Sequence, residues 1–139
     1  MAYWLFKSEP DTWSWDMQVA KGDVGEEWHG VRNYQARNNM RAMVVGDQGF
    51  FYHSSIGKAV VGIVEVCKVS APDSTTDDRR WDCVHIRAVR PFSNAVTLDD
   101  CKGQSGLKTM VLTNNSRLSV QPVTPQEWHI LCAMGGVHA

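Results

Sequence analysis

The sequence predicts an α+β fold, a small curled sheet or partly closed barrel of four or five strands with helices at its sides. Three observations carry this. Runs rich in branched and aromatic residues alternate with helix starts marked by Ser, Asn or Thr; the order is strand, helix, helix, hairpin, strand, short helix, strand, helix rather than repeating βαβ units; and no repeat, low-complexity tract or linker divides the 139 residues. A single domain over 1–139 is expected.

Tyr3 to Lys7 packs aromatic and aliphatic side chains into five residues and reads as a strand. Pro10 ends it, because proline has no N–H for a ladder and biases Glu9 away from helix. Ser14 caps a short helix to Ala20, with Asp16 in its first turn and Gly22 as the stop. A loop from Gly22 to Gly30 then carries Trp28. Asn33 caps a second helix to about Met43, with Tyr34, Arg37 and Arg41 on one face and Ala36, Met40 and Met43 on another; Gly46-Asp47 closes it. Phe50 to Ser54 and Ala59 to Val69 form a hairpin around Ser55-Ile56-Gly57-Lys58, and the nearly continuous apolar run before Glu65 makes the second strand central. Ala71 to Arg80 lacks periodicity and reads as an exposed loop. Trp81 to Arg90 resumes as a strand, Thr97-Leu98-Asp99-Asp100 opens a short helix, and Leu118 to Val123 is extended. Thr124-Pro125-Gln126-Glu127 joins a Thr cap, a first-turn Pro and a third-position Glu, so a terminal helix to Met134 follows.

Composition removes several classes of function. The longest apolar run is far short of the ~20 residues of a membrane span, and the start has no basic leader followed by a long apolar stretch, so a cytoplasmic protein without membrane contact is expected. Cys67, Cys83, Cys101 and Cys132 show no zinc-type spacing and read as free thiols in a reducing compartment. Fourteen Lys and Arg against 15 Asp and Glu exclude wholesale electrostatic capture of nucleic acid but not a local patch. Gly103-Gln104-Ser105-Gly106 lacks the Lys-Ser/Thr of a phosphate loop.

The aromatics are unevenly placed: ten of 13 lie in the first 52 residues. Within that region, Trp28 to Arg41 holds three arginines and no acid. Arginine forks pair with phosphate, and Trp and Tyr faces stack bases; a solvated helix face with Trp28 in the core is the plain alternative, and residue types alone leave both open. Ser8 and Glu9, at the first strand's end, are placed to hydrogen-bond a base edge or merely to stabilise a turn. His53-Ser54 invites a hydrolase reading, yet adjacent strand residues point to opposite faces and no nucleophile elbow is present. A small enzyme acting on a modified nucleoside or nucleotide, with Glu9 or His53 as general acid-base, stands as the second reading.

Five blocks in order resemble the EVE domain family: Trp4-Leu5-Phe6-Lys7-Ser8-Glu9-Pro10, Trp28 through Asn38, Gly46-Asp47 through Phe51-Tyr52-His53-Ser54, Val61-Gly62-Ile63, and Arg117 through Val123. The resemblance implies a PUA-like pseudo-barrel of about five to six strands with flanking helices, related in shape to YTH and ASCH domains. It also implies a non-catalytic reader that takes a flipped, modified base, notably a modified cytosine, into an aromatic-lined pocket. By matching position, Lys7, Ser8 and Glu9 form one wall, while Trp28, Val31, Asn33 and Tyr34 supply stacking and edge contacts. Arg37, Asn38, His53 and Ser54 complete the rim, with Arg117, Leu118 and Ser119 opposite. The expected partner is DNA or RNA carrying a modified base, bound by a monomer without cofactor or metal. Animal members have a further basic amino-terminal extension, and the compact form resembles bacterial members. On this view Trp4, Phe6, Trp13, Phe50 and Phe51 are core, and Trp28 and Tyr34 belong to the pocket.

Overall fold

The structure, a computed structural model, describes residues 1–114 and 117–138. Its strands are β1 (Tyr3–Ser8), β2 (Glu26–Glu27), β3 (Gln48–His53), β4 (Ala59–Pro72), β5 (Asp82–Thr97) and β6 (Val120–Val123). Its helices are α1 (Trp15–Ala20), α2 (Tyr34–Ala42), α3 (Leu98–Gly103), α4 (Val111–Asn114) and α5 (Pro125–Met134). The strands form one sheet in the order β2-β5-β4-β3-β1-β6.

Strand β1 is apolar at nearly every position because both of its faces are covered. Trp4 and Phe6 join one buried cluster with Phe51, Trp15, Trp28 and the Ala36 and Met40 face of α2; Leu5 joins another with Phe50, Tyr52 and the Trp128 and Leu131 face of α5. β1 runs parallel to β3, Leu5 opposite Phe50 and Phe6 opposite Phe51, and antiparallel to β6. A parallel pair needs a crossover, and α1 and α2 supply it. One βαβ-type connection therefore exists where the element order predicted none.

The expected hairpin of β3 and β4 forms, and β4 continues antiparallel to β5 with shifts of register at four places. Each shift adds local twist. Ser14, Asn33, Thr97 and Thr124 cap α1, α2, α3 and α5 through side chains that accept from the N–H groups of Met17, Ala36, Asp100 and Glu127. β5 extends to Thr97, beyond the expected end at Arg90, and β6 begins at Val120. A 3₁₀ turn at Ser105–Leu107 and α4 were not expected; fully buried Leu107 and Met110 pin that stretch to the core.

All four cysteines are free, three of them buried, and burial pushes the Cys83 thiol up to about 12. Among the described residues no helix is long and apolar enough to cross a membrane, and no group of His, Cys, Asp and Glu is placed to hold a metal ion.

Candidate functional site

A cleft of about 450 Å³ opens where β1 ends, a size at which proteins enclose small organic groups. Lys7, Ser8 and Glu9 close β1 on one side, with Thr12 and Trp13 in the following turn; residues 26–32 supply a second wall, and Ser119 borders it on the approach to β6.

The first wall is folded back by its own backbone. The N–H groups of Thr12 and Trp13 both donate to the Glu9 carbonyl, at 2.9 and 2.8 Å, and the Ser8 hydroxyl donates to the Trp13 carbonyl. Trp13 Nε1 donates to Gln18 Oε1 at 2.9 Å, and the fully buried Gln18 donates in turn to the Ile86 carbonyl at 3.0 Å. A buried amide satisfied at both ends fixes orientation. The indole thus commits its polar edge to the protein while its ring lines the cleft. Lys7 shares this wall; burial lowers its pKa, and its ammonium lies 5.6 Å from the centre of the Tyr52 ring.

Asp73 clamps the second wall. Its Oδ2 accepts from Gly30 N–H at 2.9 Å and from Arg32 Nη1 at 3.1 Å, and its Oδ1 accepts from the Thr75 N–H and hydroxyl. Burial alone raises a carboxyl pKa, but these four donors outweigh it and hold Asp73 well below the usual carboxylate range. Trp28 N–H donates to the Val84 carbonyl at 2.9 Å, and its ring, 9% exposed, meets the Phe6 and Phe51 rings edge to face at 5.5 and 5.8 Å. Glu27 accepts from the Ser74 N–H and hydroxyl. Glu9, Glu26 and Glu27 line the cleft with Lys7 and Arg32. An aromatic wall beside hydrogen-bond acceptors suits a flat heterocycle that carries an amino group.

Of the residues expected at the site, Lys7, Ser8, Glu9, Trp28, Val31 and Ser119 line this cleft. The rest do not, each for a visible reason. Asn33 is occupied as the α2 cap, its Oδ1 accepting from Ala36 N–H at 2.9 Å. Tyr34 stacks on Trp81 instead, with ring centroids 4.9 Å apart, and Arg37 and Asn38 bond one another beside it. His53 Nε2 accepts from Trp15 N–H at 3.0 Å, which ties the imidazole to α1, and Ser54 N–H donates to the Ser8 carbonyl at 2.9 Å. Leu118 is core, and Arg117 lies exposed in the turn before it.

Trp13 and Tyr34 both depart from the places expected of them. Trp13, expected in the core, is a half-buried cleft wall, and Tyr34, expected in the pocket, stands outside. Thr12, Glu26, Glu27, His29, Gly30 and Arg32 also line the cleft and were not foreseen. A local signal existed for the second wall: Gly25 precedes it and Gly30 lies within it, at φ 73° and 84°, the kind of positions at which a chain is bent sharply.

Residues 2–134 match the EVE domain family. The chain belongs to that family. The EVE domain superposes on a solved protein from Agrobacterium tumefaciens with a TM-score of 0.97 at 61% identity, over 99% of this chain and 94% of that one. Thymocyte nuclear protein 1 of Mus musculus is 34% identical, over 95% of this EVE domain and 73% of the mouse protein. Human THYN1 protein, solved in complex with 5-methylcytosine containing DNA, matches at 30% identity with a TM-score of 0.91, over 100% of both chains. The expected α+β fold, about five to six strands with flanking helices, is the fold of these EVE neighbours.

Proposed function

We propose that this EVE domain is a single-domain, monomeric reader of DNA carrying a modified cytosine, and that the flipped base enters the cleft lined by Trp13 and Trp28. The observation that carries the proposal is the likeness, over the whole chain, to a human protein held in complex with 5-methylcytosine containing DNA. The cleft supports it physically. Extruding a base costs a few kcal/mol, stacking on an aromatic ring returns about 1 to 3 kcal/mol, and a carboxylate such as Glu9 accepts from the exocyclic amine of cytosine. Lys7, Ser8, Glu9, Trp28, Val31 and Ser119 are retained as base contacts, and Trp13 is added. Binding, rather than turnover, is the proposed outcome, with His53 held in its bond to Trp15. Four free cysteines suit the reducing cytoplasm.

Fluorescence polarisation tests this with one duplex sequence carrying cytosine, 5-methylcytosine, 5-hydroxymethylcytosine or N6-methyladenine, and the matching RNA. The expected result is tightest binding to a modified cytosine in DNA, with the preference lost in Trp13→Ala. Equal affinity for every probe contradicts a base-reading cleft, and tighter RNA binding moves the proposal to that polymer.

A further inference from the structure

The expected pocket residues that the cleft leaves out assemble beside it. Tyr34, 50% exposed, stacks on nearly buried Trp81 at an interplanar angle of 24°. The Arg37 Cζ lies 4.8 Å from the Tyr34 ring centre and 6.0 Å from that of Trp81, and the Arg32 Cζ approaches the same Trp81 ring at 5.5 Å. Arg32 is also a cleft residue. The aromatic shelf and the cleft therefore share a border at Arg32.

The arginines on this side differ in what they meet. Arg32, Arg41 and Arg80 are ion-paired with Asp73, Asp82 and Asp78 at 3.1, 2.9 and 2.6 Å. Arg37 is held by neutral acceptors: the Arg80 carbonyl at 2.9 Å and Asn38 Oδ1 at 2.7 Å. Among the described residues no carboxylate pairs with it. Its guanidinium is oriented in advance by two acceptors and an aromatic face, and keeps both its charge and unused N–H groups. Such a group is suited to meet an oxyanion, because the ordering cost has already been met by the fold. The cleft differs in balance, since its three carboxylates, Glu9, Glu26 and Glu27, outnumber Lys7 and Arg32 there, and carboxylates repel phosphate. An unpaired guanidinium on the shelf and an excess of carboxylates in the cleft separate a strand into its two parts, with the backbone on the shelf and an uncharged base within.

We infer that the Tyr34–Trp81–Arg37 shelf is a phosphodiester-binding surface that seats the strand next to the base in the cleft. The inference rests on the DNA reading proposed above and adds a contact of different chemistry. Phosphate contacts position a strand and carry no information about its bases. Arg37 accordingly contributes to affinity for modified and unmodified DNA alike, whereas the cleft contributes the difference between them.

A salt series separates the two. Polarisation titrations of duplexes with and without 5-methylcytosine are run at several NaCl concentrations on the wild type, Arg37→Gln, Arg37→Lys and Trp13→Ala. Arg37→Gln is expected to weaken both duplexes on the order of tenfold and to reduce the slope of log K against log salt by about 0.9, leaving the modified-to-unmodified ratio intact. Arg37→Lys restores the slope, because charge sets it; Trp13→Ala keeps the slope and loses the ratio. An unchanged slope in Arg37→Gln overturns the shelf, as does a loss that Arg37→Lys does not restore, which marks a purely structural bond to the Arg80 carbonyl. A ratio that falls with Arg37→Gln places Arg37 in base recognition and overturns it too. Wild-type protein that binds without discrimination but loses slope in Arg37→Gln leaves the shelf standing and removes the base reader; wild-type protein that binds neither duplex removes both.

Discussion

Trp13 stands at the cleft because of Gln18, a residue with no chemical role suggested by the sequence. The Gln18 side chain is fully buried, accepts from the Trp13 indole and donates to the backbone of β5. Replacing Gln18 with Ala removes the partner of the Trp13 indole N–H and one donor to the buried Ile86 carbonyl. The expected cost is about 1 to 3 kcal/mol in urea unfolding, together with a weaker preference for modified cytosine although Gln18 touches no DNA. Unfolding unchanged by Gln18→Ala contradicts this role. Single-residue features of this kind escape sequence reasoning because their partners are remote in sequence. Asp73 is the same case: it lies within a stretch that reads as exposed loop, yet it is 3% exposed and its donors come from Gly30, Arg32 and Thr75. Ser8 and Glu9 were legible at the cleft because a strand end followed by Pro10 is a local pattern.

The starts of α1, α2, α3 and α5 were legible for the same local reason, since each cap side chain and the N–H that donates to it lie three residues apart. The anchoring of α1 was not. His53 Nε2 receives the Trp15 N–H, which places the ring proton on Nδ1. Burial lowers the His53 pKa from its usual 6.5, while the charge of Asp16 opposes that shift. The unfolded chain therefore binds a proton near pH 6.5 that the folded chain resists, so stability present at pH 7.5 declines as pH falls below about 6.5, until the lower folded value is passed. Thermal melts from pH 7.5 to 5.5 are expected to show a smaller decline for His53→Gln, whose amide oxygen accepts the same bond without titrating. An identical decline in both proteins assigns the effect to other groups. In β4, Gly62 is a seat for Trp15, whose ring a Cβ at Gly62 would meet at 2.5 Å.

At the scale of the whole molecule, the sequence made the α+β class and most elements legible, because periodicity and capping are local. The parallel β1–β3 pair and the register shifts of β4 on β5 depend on which strands meet, and nothing local encodes that. The clustering of aromatics in the first 52 residues was legible as a count but not as a division of labour: Trp13 and Trp28 went to the cleft, and Tyr34 to a shelf with Trp81. The net charge of -1 likewise hid a cleft in which carboxylates outnumber cations, next to an arginine-bearing shelf. A modified base read inside the cleft has its signature in the indole N–H signals of the six tryptophans, followed by NMR while an oligonucleotide is added. Trp13 and Trp28 are expected to shift far more with 5-methylcytosine than with cytosine, while Trp81 shifts equally with both and Trp4 and Trp128 stay in place. Shifts at Trp81 with none at Trp13 or Trp28, whichever base is present, would contradict reading inside the cleft.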